Sequence, residues 1–433
     1  MKPYKKYFKN KKITVMGLGL LGRGVSDAAF LAECGAKLIV TDLKTKEELA
    51  PSLHKLKKFK NIIYYLGGHR LEDFRNRDLI IKAAGVPLDS PFIREARKNK
   101  IPIEMSTALF ARFSPATLIG ITGTRGKSTT THLLHHILAS AHKRVFLGGN
   151  VKDIATLPLL KKVRAGDLVV LELDSWQLQG FGELKISPHV AIFTNFLPDH
   201  MNYYKGSLAR YFADKANIFR FQSRNDFVIC DAAVSRRIKT KGEKIIAKSL
   251  LPSFSFNLKG THNRKNAGLA VQTAHLLGIP LEDIQRSLPT FSGVPGRLEF
   301  VRAVRGIEIY NDTTATTPHA TIAGLKALGK KKNIILIMGG NQKNLDMRAL
   351  LKIIPRYTKK VILLPGTGTD SLPPLFKKNA IQTESLKEAF DAAFKNARRG
   401  DIILFSPAFT SFGLFKNEFD RGEQFDRLVR MLK

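Results

Sequence analysis

Cysteine is nearly absent: Cys34 and Cys230 are the only two in 433 residues, and each sits in an apolar stretch. That excludes a disulfide framework and points to two core thiols. No apolar run reaches the roughly 18 residues that a transmembrane helix needs. The basic segment Met1 to Lys12 is followed by no apolar stretch of the kind that marks a secretory signal. A cytoplasmic protein without membrane insertion is therefore expected. Acidic residues are scarce too, with 36 Asp and Glu against 71 Lys and Arg, a net charge of +35. Such a balance suits a polyanionic partner. The basic runs, such as Lys57-Lys58, Lys330 to Lys332 and Lys377-Lys378, are short and not interleaved with aromatics. A base-stacking platform for single strands is thereby excluded, and no dedicated nucleic-acid partner is expected. Nucleotide substrates suit the charge equally well.

What is present is alternation. Apolar β-type runs and helix-period segments succeed one another along the chain, the pattern of parallel sheets with crossover helices. Three α/β blocks separate. A Rossmann-like block, residues 1–113, carries strands at Ile13 to Met16, Lys37 to Val40 and Asp78 to Ala84. A P-loop-type mononucleotide-binding block, residues 114–296, carries strands at Thr117 to Ile121, Leu168 to Leu173, Val190 to Thr194 and Phe227 to Cys230. A second Rossmann-like block, residues 297–433, carries strands at Ile307 to Tyr310, Asn333 to Met338, Val361 to Leu364 and Asp401 to Phe405. Most of these runs are followed by Gly, Pro or polar residues, where open α/β sheets bind ligands.

Two glycine clusters carry chemistry. Gly17-x-Gly19-x-x-Gly22 follows a strand and opens a helix, and Asp42 ends the next strand. This spacing lets a backbone approach a pyrophosphate at a helix N-terminus. It serves a dinucleotide, a sugar nucleotide or a tight turn with no ligand, and does not choose among them. The second cluster runs from Gly120 through Gly123, Thr124, Arg125, Gly126, Lys127, Ser128 and Thr129, again between a strand and a helix. Backbone amides there would cradle phosphates, Lys127 would reach the β- and γ-phosphates, and Ser128 would ligate Mg²⁺. Strict P-loop spacing calls for glycine where Ile121 stands, so this is a variant loop. A dehydrogenase has no use for a second nucleotide site. His132, His135 and His136 share a helix face and could be a metal site or merely a polar surface; no second ligand group is evident.

Gly123-Thr124-Arg125-Gly126-Lys127-Ser128 resembles the ATP loop of the Mur ligase family. Further matches follow in order: Gly148-Gly149-Asn150, Leu171 to Leu178, Thr194-Asn195 with Asp199-His200, Gly260 to Asn266, Gly296 to Glu299, Asn311-Asp312 with Ala315-Thr316, Gly339-Gly340 with Lys343, and Ser406-Pro407-Ala408. The chain is most similar to the branch that adds D-glutamate, and Phe415-Lys416-Asn417 with Arg421-Gly422 points the same way. The resemblance implies an ATP-dependent, ADP-forming ligase, monomeric. It would join D-glutamate to UDP-N-acetylmuramoyl-L-alanine in peptidoglycan precursor synthesis.

Site roles follow from the same resemblance. Lys127, Glu172, His200 and Lys215 are the expected catalytic group. Ser128 and Glu172 would hold a first Mg²⁺. His200 and a carbamylated Lys215 would hold a second, since a carbamate turns a cation into an oxygen ligand. Asn263, Asn266, Arg297 and Asp312 join the loop residues in contacting ATP, with Asp312 at the ribose. Gly19, Leu20, Asp42, Asn150 and His200 are expected at the muramoyl nucleotide, and Thr316, Lys343, Ser411 and Phe412 at the amino acid.

Several positions depart from the family pattern. Arg125 replaces an Asn, Thr314 a Lys, Asn202 an Asp, Ala84 a Ser and Leu21 a Thr, while Glu418 stands where a Phe is expected. One hypothesis is that Arg125 supplies the charge lost at Thr314. Two other functions stay open on these residues: another ATP-dependent amino-acid ligase (a sister Mur ligase or a folylpolyglutamate-type enzyme), or a basic nucleic-acid-binding ATPase.

Overall fold

The structure, a computed structural model, describes residues 2–19, 22–411 and 413–432. Leu20 and Phe412, expected at the nucleotide and amino-acid sites, lie outside the described residues, as does Leu21.

Three sheets account for the alternation. In the first, β1 (Lys12–Met16), β2 (Lys37–Asp42), β3 (Ile62–Leu66), β4 (Leu79–Lys82) and β5 (Ile103–Glu104) lie in the order β3-β2-β1-β4-β5. In the second, β6 (Thr117–Thr122), β7 (Val145–Gly149), β8 (Leu168–Glu172), β9 (Val190–Phe193), β10 (Phe227–Cys230) and β11 (Glu243–Ile246) lie in the order β11-β10-β9-β6-β8-β7. The pairings within both are parallel. Central strands such as β8 and β9 are buried on both faces, which is why they read as continuous Val, Ile and Leu runs.

The third sheet contains β12 (Glu299–Val304), β13 (Ile307–Asn311), β14 (Ile334–Gly339), β15 (Thr358–Leu364), β16 (Ile381–Gln382) and β17 (Ile402–Phe405), in the order β12-β13-β17-β14-β15-β16. Here β12 and β13 pair antiparallel, a departure from the parallel pattern expected of the alternation. The cause is local. Only Arg305 and Gly306 separate the two strands, both at positive φ (52° and 76°), which is the two-residue hairpin turn that a right-handed twist favours.

The chain forms two compact units, Met1–Leu250 with Asn266–Ser287, and Leu251–Lys265 with Leu288–Lys433. The first unit holds the first two sheets, and one buried cluster runs through both, including Phe8, Phe30, Phe110, Leu157 and Phe181. The second unit holds the third sheet, with one apolar cluster around Leu336 and Leu404 and another around Ile337 and Phe405. Both cysteines are buried and unpaired. Among the described residues no helix is long and apolar enough to cross a membrane.

Candidate active site

The second glycine cluster lies beyond the carboxyl end of β6, flanked in the sheet by β8 and β9. Its glycines answer to crowding. A Cβ on Gly123 would stand 1.9 Å from Thr194 Oγ1, and one on Gly126 would stand 2.3 Å from Asn266 Oδ1. Gly126 also adopts the left-handed conformation that starts the helix Lys127–Ser140. The loop is stitched to the segment after β9. Thr124 N donates to Asn195 O (2.9 Å), Leu197 N donates to Thr124 Oγ1 (2.9 Å), and Thr194 Oγ1 donates to Arg125 O (2.6 Å). Arg125 Nη1 lies 3.2 Å from Asp199 Oδ2, and Asp199 adjoins His200.

Two lysines converge on this loop. Lys127 Nζ donates to Gly123 O and Thr124 O, each at 3.2 Å. Lys215, on the helix Leu208–Ala216, donates from Nζ to the same Gly123 O at 2.9 Å. Lys215 is 1% exposed, unlike an ordinary solvated helix lysine. Burial, and then the nearby Lys127 charge, hold its pKa well below the ordinary lysine value. A neutral amine in this position is chemically ready to add CO₂.

Glu172 ends β8, directly opposite Ile121 in the register, and is 3% exposed. Among the described residues its carboxylate has neither a hydrogen-bond donor nor a cationic partner, and Ser128 stands buried in the first turn of the neighbouring helix. A nearly buried carboxylate without a partner fits a hard divalent cation that takes oxygen ligands. No three His, Cys, Asp or Glu side chains converge as a metal cluster among the described residues, so phosphate oxygens would complete such a site. His200 has a left-handed backbone (φ 55°), and its ring packs on Trp176 with centroids 4.8 Å apart. His132 and His136 each hydrogen-bond a backbone carbonyl, of Ser128 and Ser287 respectively, which makes that helix face polar packing rather than a metal centre.

The first glycine cluster lines a cavity of about 290 Å³ together with Arg23, Asp27, Asp42 and Lys82. Asp42 does not stand free to meet a ligand. Its Oδ2 accepts from the amides of Leu18 (2.7 Å) and Gly19 (2.9 Å), and its Oδ1 accepts from Lys44 N (2.9 Å). Asn150 accepts from Arg23 Nη1 at 2.8 Å. Asp27 is buried with one carboxyl oxygen unpartnered, and burial raises its pKa to about 7. Lys82 closes β4, is 3% exposed, and has its pKa pushed down to about 8 by burial. Sequence reading missed Arg23, Asp27 and Lys82, for none belongs to a motif. The available signal was an apolar strand, Leu79–Lys82, ending on a lysine.

In the second unit, Lys343 Nζ donates to Thr316 Oγ1 at 3.0 Å, bringing together two residues expected at the amino acid. Ser411 lines a separate cavity of about 250 Å³ with Asn341 and Arg421. Arg421 is fully buried and ties Thr313 to Phe409 through their backbone oxygens. Asp312, expected at the ribose, is engaged internally. Its Oδ2 accepts from Ser406 Oγ (2.8 Å) and its Oδ1 from Leu298 N (3.0 Å), while burial raises its pKa to about 7. Arg297 precedes β12, and Thr314 Oγ1 braces the turn by donating to Gly296 O. Asn263 is buried and donates to Lys259 O (2.9 Å).

Comparison with known proteins identifies the family. Residues 11–104 match the Mur ligase MurD-like N-terminal domain, residues 121–268 the Mur ligase middle domain, and residues 296–409 the Mur ligase glutamate ligase domain. The UDP-N-acetylmuramoylalanine–D-glutamate ligase of Borreliella afzelii (strain PKo) is 37% identical, covering 98% of both chains. The protein of the same name from Roseiflexus sp. (strain RS-1) is 34% identical over 97% of this chain and 98% of its own. The fold is that of the UDP-N-acetylmuramate-alanine ligase MurC from Thermotoga maritima (TM-score 0.63, 22% identity, 98% and 100% of the two chains). It is shared with the MurF ligase of Thermotoga maritima, solved in complex with ADP (TM-score 0.58, 16% identity, 99% and 97%). Three successive domain matches and relatives of this identity along nearly the whole length settle the classification: the chain belongs to the Mur ligase family.

Proposed function

We propose that this protein is the cytoplasmic ATP-dependent ligase that adds D-glutamate to UDP-N-acetylmuramoyl-L-alanine. The observation that carries the reading is the convergence of Lys127 and Lys215 on Gly123 O in the sheet that also carries Glu172, whose carboxylate has no partner among the described residues. A carboxylate is a poor electrophile. Transfer of the γ-phosphoryl group of ATP to a carboxylate oxygen releases ADP and leaves an acyl phosphate. The amine then attacks the acyl carbon, loses a proton, and expels phosphate. Such transfer demands positioning and charge neutralisation more than covalent help. Lys127 and the amides of Gly126 to Thr129 are the cradle for the phosphates, with Gly123 and Thr124 holding the Lys127 side chain through their carbonyls. Asn263, Asn266, Arg297 and Asp312 are the further ATP contacts, with Asp312 needing to exchange Leu298 or Ser406 for the ribose.

Ser128 with Glu172, and His200 with a carbamylated Lys215, would hold two Mg²⁺ ions. These ions would neutralise phosphate charge and polarise the carboxylate. Gly19, Asn150 and His200 would meet the muramoyl nucleotide, with Asp42 ordering the loop. Thr316 and Lys343 would meet a carboxylate of the amino acid, with Ser411 beside them in the sequence of roles; a lysine ammonium is the natural partner for that carboxylate.

The test is ATP-dependent phosphate release with UDP-N-acetylmuramoyl-L-alanine while amino acids are scanned. Release is expected with D-glutamate and not with L-glutamate or meso-diaminopimelate. Equal release with no amino acid present would sink the ligase reading. Depleting dissolved CO₂ should lower the rate and added bicarbonate should restore it; a rate indifferent to both would remove the carbamate.

A further inference from the structure

The cavity beside the first glycine loop holds cationic groups that the glycine motif does not explain. We propose that Lys82 and Arg23 form a two-cation clamp for the phosphates of the nucleotide-sugar substrate, with Asn150 holding Arg23 in place. This rests on the nucleotide-sugar reading of the N-terminal block and names the residues that supply its charge.

The case begins with what the loop cannot offer. In a glycine fingerprint the loop amides are the usual donors to a pyrophosphate. Here the amides of Leu18 and Gly19 both donate to Asp42 Oδ2, and Lys44 N fixes the other oxygen of that carboxylate. Two amides are thus committed to a carboxylate that itself repels phosphate. Side-chain cations lining the cavity would offset that carboxylate.

Lys82 supplies one such charge. Lys82 lines the cavity, and among the described residues its ammonium makes a single hydrogen bond, to Val86 O at 3.1 Å. Among the described residues no carboxylate lies within ion-pair distance of it. Asp174, Asp214 and Glu183 act on it from farther away, and Arg97 opposes them. A buried ammonium with one neutral partner is costly unless an anion joins it.

Arg23 supplies the second. Among the described residues only one of its nitrogens is engaged, Nη1 on Asn150 Oδ1, which leaves N–H groups of the fork that matches phosphate oxygens. Its anchor, Asn150, directly follows β7 of the second sheet, while Arg23 opens the helix Arg23–Glu33 of the N-terminal block, both within one compact unit. Asp27, one turn along the same helix, also lines the cavity. Its carboxyl is held toward the neutral form by burial, so it does not cancel the two cations as an ordinary carboxylate would.

The experiment titrates UDP and uridine separately into the full-length protein and its Lys82→Met and Arg23→Met variants, with melting temperature as the folding control. The two ligands differ only in phosphate. UDP affinity should fall about tenfold or more in each variant, a loss of about 1.4 kcal/mol or more, while uridine affinity stays unchanged. Lys82→Arg, which keeps the charge, should retain most of the preference for UDP. Equal loss of UDP and uridine would show a structural defect and overturn the clamp. UDP affinity unchanged in both Met variants would overturn it as well, leaving the nucleotide-sugar reading intact. Failure of the unmodified protein to bind either ligand would remove both.

Discussion

An added Cβ at Gly123 would stand 1.9 Å from Thr194 Oγ1, whereas at Gly19 it would meet nothing within 4 Å. Both glycines have positive φ, 140° and 66°. The first is needed because two loops pass in contact; the second is needed only for its backbone conformation. The charges differ in the same way. The central loop carries its own Lys127 and receives Lys215 on a carbonyl. The N-terminal loop has two amides capped by Asp42 and draws on Arg23 and Lys82 from outside the motif. Similar glycine spacing thus accompanies one loop that carries its own cation and one whose neighbouring cations lie outside the motif.

The contrast can be broken most directly at Lys127. Lys127→Met removes the charge that the central loop brings for itself, and kcat for phosphate release should fall about 100-fold or more. A loss under tenfold would mean that this loop, too, relies on outside charge. Next in size are the glycines. Gly123→Ala must displace Thr194 and adopt a strained backbone, costing about 3 kcal/mol, while Gly19→Ala should cost only about 1 kcal/mol. Chemical denaturation of the two variants side by side measures this, and equal losses would erase the distinction.

Asp27 gives a smaller effect that depends on pH. Its folded pKa of about 7 lies above the ordinary 3.8, so the folded state holds the proton more tightly. The stability this group contributes is therefore complete below about pH 4 and is lost as pH rises toward 7, by at most about 1.4 kcal/mol per pH unit. Asp27→Asn should flatten the decline in melting temperature between pH 5 and pH 8; an unaltered slope would place the shift elsewhere. Arg125→Asn should have the least effect. Its pair with Asp199 is partly exposed, so the KM for ATP should rise about threefold. No change in KM or kcat would separate Arg125 from the ATP site.

Sequence disclosed the interior of this fold better than its edges. The strands legible as apolar runs, among them β1, β6, β8, β14 and β17, are central ones covered on both faces. The six that escaped, β3, β5, β7, β11, β12 and β16, are the edges of the three sheets. Edge strands are short and half-exposed, as β11 (Glu-Lys-Ile-Ile) is, and so leave no continuous hydrophobic signal. The site shows the same limit. Lys127, Ser128 and Glu172 announce themselves because they sit inside motifs. Lys82 and Arg23 act through burial and cavity shape, which no spacing records. Asp42 and Asp312 were visible as acids at strand ends, but that their oxygens are bound within their own domains follows only from the packing.

Gly123 O accepts from the Nζ atoms of two lysines at once, and this makes the lysines mutually dependent. An anion that draws Lys127 away leaves the carbonyl to Lys215; a carbamate on Lys215 leaves it to Lys127. Reciprocity then requires that the factor by which nucleotide binding changes the affinity of Lys215 for CO₂ equals the factor by which the carbamate changes the affinity for nucleotide, and sharing one acceptor makes both factors unfavourable. On the carbamate reading, dissolved CO₂ and ATP would therefore report on each other through a single carbonyl oxygen.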